Sequence, residues 1–176
     1  MYSARARARA ADQFVTSAPP FEEIVAIHLG MIRRIAAAYE ANPTVREDLI
    51  QEILCAVWRA MPHFRGGGLR GFIARIAANR AVTHVQRALK VPDSIVLSDD
   101  IAVSESSPEA HAIAMNDKER LLQALRALPI GIREPALLAL EGLTQLEIAG
   151  VLGVTPNAVA IRMMRAKSRL RKLLGD

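Results

Sequence analysis

Cysteine occurs once, at Cys55, which excludes an internal disulfide and any cysteine-cluster zinc site. The four histidines, His28, His63, His84 and His111, are scattered without metal-ligand spacing. No nucleophile, base and metal ligand converge on one segment, so the expectation is a protein with no cofactor and no enzymatic activity. Apolar runs fall short of the ~18 residues that a membrane span requires. Arg5, Arg7 and Arg9 alternate with alanine, with no apolar segment of signal length behind them. A cytoplasmic chain without membrane insertion is therefore expected. Strand signals are absent, and aromatic residues make up only 4% of the chain, which leaves few stacking platforms for single-stranded nucleic acid.

What is present is helical pattern and positive charge. The 176 residues are 51% hydrophobic, enough for one moderate core or two small ones. A net charge of +5 with a pI near 10.0 suits a polyanionic partner. The charge is unevenly spread: residues 91–117 hold Asp93, Asp99, Asp100, Glu105, Glu109 and Asp117 with no Lys or Arg. At the other extreme, Arg162, Arg165, Lys167, Arg169, Arg171 and Lys172 follow one another with no acid between them. A helix so charged faces phosphate, and DNA is the first partner to consider.

The segment feeding that helix reads as a helix-turn-helix. Thr144 and Glu147 have the spacing of a capping box, Gly153 supplies a left-handed turn, and Thr155-Pro156 restart a helix at N-cap and N1. Upstream, residues 1–20 read as a flexible basic tail. Phe21, Ile24, Ile27, Met31, Ile35 and Tyr39 recur at helical spacing until Asn42-Pro43. Thr44 with Glu47 predicts a capping box and a helix to about Met61, and a third helix is expected over about 69–90. Residues 91–115, with Pro92 and Pro108 among serines and acids, read as a mobile linker. Asn116 with Glu119 predicts another capping box, and Pro129, Gly131 and Pro135 predict an interruption before a short helix ending near Gly142. The expected fold is all-α: a helical domain over 21–90 and a helix-turn-helix domain over 116–176, joined by the acidic linker and tumbling semi-independently.

Two stretches in this order resemble the extracytoplasmic-function (ECF) group of bacterial sigma factors. The first runs from Glu47-Asp48-Leu49-Ile50-Gln51-Glu52 through Trp58-Arg59-Ala60, Phe64-Arg65-Gly66 and Arg75-Ile76-Ala77-Ala78-Asn79. The second comprises Leu128-Pro129, Arg133-Glu134, Glu141-Gly142-Leu143-Thr144, Glu147-Ile148-Ala149 and Arg162 to Leu170. A helix-turn-helix alone is weakly specific; the ordered pair is strongly so. The resemblance implies a promoter-specificity subunit that binds the RNA polymerase core and promoter DNA and is held by an anti-sigma factor or another regulator.

It also implies roles for particular residues. Asp48, Gln51, Glu52 and Arg59 share a helix face with Cys55 and would dock on polymerase; the same face equally fits a solvated surface. Phe64, Arg65 and Gly66 in the glycine-rich loop, then Arg75, Asn79, Arg80, Thr83 and Arg87 on the third helix, would read the minus-ten element; the loop also fits a plain connector. Thr144, Thr155, Pro156, Asn157, Ala158, Ala160, Ile161, Arg162, Arg165 and Lys167 would read the minus-thirty-five element. Six positions depart from the family's usual pattern: Phe72, Ile73, Ala74, Thr83, Pro135 and Ala160. Ala160 and Ile161 can touch a thymine methyl but cannot hydrogen-bond a guanine edge, so a different minus-thirty-five sequence is expected. Trp58, Leu49, Val57, Ile148, Val159, Met163 and Leu170 are expected in the core. Competing readings are a helix-turn-helix regulator that is not a polymerase subunit, and a sigma mimic that binds a regulator without opening DNA.

Overall fold

A computed structural model describes residues 20–66, 68–90 and 117–175. Among these residues there is no strand. Helices α1 (Phe21–Ala37), α2 (Pro43–Ala60) and α3 (Leu69–Lys90) form the first domain, with a short 3-10 turn, Met61–His63, after α2. Helices α4 (Asp117–Arg126), α5 (Ile130–Leu140), α6 (Gln145–Leu152) and α7 (Pro156–Leu174) form the second. The N-terminal tail and the acidic linker lie outside the described residues.

In the first domain the apolar stripes of three helices meet in a common core. Ile32, Ile35, Leu49, Ile53 and Ile73 are all under 2% exposed, and burying each such side chain contributes about 1.5–3 kcal/mol. The cap of α2 differs from the sequence expectation. Asn42, not Thr44, is the N-cap, its side-chain oxygen accepting from the Thr44 and Val45 amides at 2.9 and 3.3 Å. Pro43 therefore opens α2 at N1, where its missing N–H costs nothing. Trp58 also departs from expectation, being 60% exposed while Leu49 and Val57 are buried.

In the second domain α5 and α6 pack on α7, and α4 closes the bundle. Leu125, Leu128, Leu138, Ile148 and Val159 are buried, with Met163 and Leu170 partly buried against them. The expected interruption falls at residues 127–129, where the chain turns between α4 and α5, but α5 then begins directly after Pro129 and continues through Gly131 and Pro135 without a further break. Pro135 is itself buried in the core, where its packing offsets the backbone bond it cannot donate. The expected Thr144–Glu147 capping box is formed in full, and Gly153 ends α6 at φ 66°. Asn116 lies outside the described residues.

The domains do not stand apart as semi-independent units. Their buried side chains form one contiguous cluster, and α3 packs against α6 and α5. Polar contacts reinforce the apolar ones. Arg34 donates from Nε and Nη2 to the two carboxylate oxygens of Glu141 at 2.8 and 2.7 Å, and the Glu141 side chain is only 2% exposed. Arg70 donates to the Glu141 carbonyl, and Arg126 donates to the Ala37 carbonyl at 2.8 Å. Arg133, whose guanidinium also donates to the Leu128 carbonyl at 3.0 and 2.8 Å, lies 5.0 Å over the Tyr39 ring. The linker's composition said nothing of these contacts, because their partners come from sequence-distant helices.

Candidate polymerase- and DNA-binding surfaces

The outward face of α2 carries the expected docking residues. Asp48, Gln51, Glu52, Cys55 and Arg59 are all exposed, on the side opposite Leu49, Ile53 and Val57. Glu52 makes a long, exposed ion pair with Arg87 at 3.8 Å, a contact of small worth that a partner can replace. Beside this row lies a groove of about 530 Å³ between α1 and α2, where Phe21, Val25, Leu54 and Trp58 provide apolar lining next to Gln51 and Cys55. Residue type alone places Trp58 in the core and so hides this apolar half, whereas the side chain is exposed. The signal was in the helical wheel: at about 100° per residue, Trp58 falls roughly 20° from Gln51. An aromatic and an aliphatic flanked by carboxylates suit a partner surface combining apolar and basic groups.

The loop and α3 place their residues less uniformly. Gly66 adopts φ 92°, a left-handed conformation that glycine takes without steric cost. Phe64 packs its ring on Phe72, centroids 5.1 Å apart and tilted by 51°, and Arg65 donates to the Pro62 carbonyl at 2.9 Å. This aromatic pair forms the wall of a cavity of about 350 Å³. On α3, Asn79, Arg80 and Arg87 are exposed. Thr83 is half-buried, and its hydroxyl donates to the Asn79 carbonyl at 2.8 Å. Arg75 is exposed but engaged, donating to the carbonyls of Val151 at 3.1 Å and Gly150 at 2.7 Å on α6. The opposite wall of the cavity is accordingly formed by Glu147, Gly150 and Val151.

In the helix-turn-helix, both caps hold α7 in place. The Thr144 amide and hydroxyl donate to Glu147 Oε2, each at 2.7 Å. The Glu147 carboxyl is held below the usual carboxylate range, chiefly by the backbone hydrogen bond and then by that from the side chain. Thr155 Oγ1 accepts from the Ala158 amide at 3.2 Å, and Gln145 donates to the Pro156 carbonyl at 2.7 Å, tying α6 to the first turn of α7. Thr155, Pro156, Asn157, Ala160 and Ile161 are exposed around that first turn, with Ala158 half-buried. Arg165 and Lys167 are exposed further along, and Arg162 is partly covered. The end of α7 that would enter a groove is thus small, polar and apolar, and its cations follow it along the helix. Among the described residues no cluster of His, Cys, Asp or Glu is able to hold a metal, and no single helix is long and apolar enough to cross a membrane.

Comparison with known proteins follows the same division. The Sigma-70 region 2 family model matches residues 24–90, and the Sigma-70 region 4 model matches residues 118–170. The chain is 29% identical to the ECF RNA polymerase sigma factor SigE of Mycolicibacterium smegmatis over 159 residues, 89% of this chain and 62% of that protein. It thus spans less than two thirds of that relative's length. It is 32% identical to the ECF RNA polymerase sigma factor ShbA of Streptomyces griseus over 134 residues, 72% of this chain and 70% of that protein. Among solved structures, the sigma factor RpoE of Bartonella quintana, in complex with the anti-sigma factor NepR, shares the fold with a TM-score of 0.69 at 23% identity, covering 90% of this chain and 98% of that one.

Proposed function

Because the chain belongs to the extracytoplasmic-function sigma factors of RNA polymerase, and as such directs transcription initiation, we propose that it works by dividing the task among three surfaces. The α2 face, with Asp48, Gln51, Glu52 and Arg59 beside the Trp58 groove, docks on the polymerase core. The Phe64–Gly66 loop and the α3 residues Arg75, Asn79, Arg80, Thr83 and Arg87 take the minus-ten element. Helix α7 takes the minus-thirty-five element with Thr155 to Ile161, while Arg162, Arg165 and Lys167 hold phosphates. The role needs no reaction of the chain's own: binding energy positions polymerase and stabilises opened DNA. An anti-sigma factor, such as the one bound to the Bartonella protein, would compete for the same surfaces.

The observation that carries this reading is the exposed acidic row on α2, in one chain with a capped recognition helix whose basic stretch contains no acid. A stand-alone regulator has no use for the first. Purified core polymerase supplemented with this chain is expected to initiate at discrete sites on chromosomal fragments. Asp48→Ala with Glu52→Ala is expected to abolish that initiation and weaken core binding, because it removes charge-assisted contacts from a surface without opening a cavity. Undiminished core binding by the double variant in a pull-down would sink the docking assignment.

A further inference from the structure

Apart from the surfaces assigned above, the fold makes a basic cavity that none of them uses. In α1, Met31, Ile32 and Ile35 turn into the core, which leaves the adjacent Arg33 and Arg34 on the outside. With Arg46 of α2 and Lys118 of α4 they line a cavity of about 470 Å³, within the range of roughly 300–1,000 Å³ that small-molecule sites occupy. Its apolar lining is Ala37, Ile50 and Leu122, one residue from each helix. The acids nearest these cations are already engaged. Glu141 holds Arg34, and Glu119, in the cavity wall, pairs with Arg126 at 2.6 Å. Among the described residues neither the Arg33 nor the Arg46 guanidinium has a hydrogen-bond or ion-pair partner, although Arg46 is half-buried. Two such guanidiniums facing one cavity repel each other, and an anion placed between them turns that repulsion into attraction.

We propose that this cavity binds a nucleoside di- or triphosphate, with Arg33 and Arg46 holding its phosphates. The planar fork of each arginine matches a phosphate edge and donates two charge-assisted hydrogen bonds to it. The rest of the lining suits the nucleoside. Ile50 and Leu122 are buried at the base of the cavity and offer an apolar seat for a ring. Glu47, exposed beside Arg46, also lines the cavity. A carboxylate only accepts hydrogen bonds, so it meets ribose hydroxyls or a base amino group well and repels a bare polyphosphate. The recess lies among three helices and so admits a compact ligand, whereas a duplex is met by the exposed cations along α7. Because the lining joins α1 and α2 to α4, a ligand bound there stabilises the folded chain by mass action. The inference uses none of the polymerase or promoter assignments.

Calorimetric titration of the full chain with ATP and with GTP tests the site. At least one of the two is expected to bind once per chain and to raise the melting temperature as its concentration increases. Arg33→Ala and Arg46→Ala, each checked for folding by a far-UV melt, are expected to weaken binding on the order of ten-fold, the loss of one charge-assisted contact. Lys172→Ala removes the same charge from an exposed position on α7 and is expected to leave nucleotide binding unchanged. Inorganic triphosphate is expected to bind more weakly than the nucleotide, on the order of ten-fold, because it gains nothing from Glu47 or the apolar seat. Glu47→Ala is expected to narrow that difference. Absence of binding by both nucleotides to the unaltered chain would overturn the site, and so would an equal loss from Lys172→Ala, which would make the binding a general charge effect. Inorganic triphosphate binding as tightly as the nucleotide would overturn the nucleoside assignment. None of these measurements involves polymerase or promoter, so their failure leaves the sigma-factor assay untouched.

Discussion

Glu134 and Glu141 occupy the middle and the C-cap of α5, and the fold treats these two carboxylates in opposite ways. Glu141 is buried but fully met by Arg34, so truncating either partner leaves the other at a disadvantage. Burial pushes the Glu134 carboxyl above its usual range, and the nearby Arg162 and Arg133 only partly oppose this. Because its folded pKa is raised, the native state binds a proton that the unfolded state has already released, and stability falls as pH rises through that window. Glu134→Gln is thus expected to raise the melting temperature at pH 7. The gain should vanish below the ordinary carboxylate pKa, where both states are protonated. A melting curve that gains as much at pH 4 as at pH 7 would assign the effect to packing. Nothing in the local sequence distinguishes these two glutamates, since what separates them is the pair of hydrogen bonds that Arg34 brings to Glu141 from α1.

At the scale of the element, legibility in the sequence tracks how local the determining contacts are. The helix-turn-helix was readable because its box, its left-handed glycine and its second N-cap each lie within four residues of their partners. The α2 start was misplaced by two residues because Asn42-Pro43 serves as both stop and start signal, and Thr44 with Glu47 matched the same pattern. Trp58 was misread because aromatic residues are usually buried, although its wheel position sets it beside Gln51. Within α7, the proposed roles divide specificity from affinity by position along the helix. Ala160 lies in the exposed first turns, whereas Arg165 lies beyond them among the exposed cations proposed to hold phosphates. Arg165→Ala is expected to weaken binding to all duplexes alike and to reduce the salt slope by about one. Ala160→Arg should instead shift the selected sequence, adding about 1–3 kcal/mol of discrimination where its guanidinium meets a guanine. Selection from a random duplex library with both variants checks this, and a sequence shift from Arg165→Ala without one from Ala160→Arg would require another orientation of α7.

At the scale of the whole molecule, pattern and composition divided the chain into two helical domains but left their contact unread, because it joins residues far apart in sequence, as Arg34 joins Glu141 and Arg126 meets Ala37. No periodicity encodes a bond of that span. Its physical consequence is cooperativity. The buried side chains of both domains form one cluster, and the polar bonds across it are partly buried, so losing one domain exposes apolar surface and strands polar groups on the other. A single calorimetric unfolding transition is therefore expected, with calorimetric and van't Hoff enthalpies equal. Arg34→Ala, which leaves the Glu141 carboxylate unpaired, should split this into two transitions, each with the smaller enthalpy of a smaller domain. Two separate transitions in the unaltered protein would show that the shared core and the packing of α3 on α5 and α6 contribute too little to couple the domains.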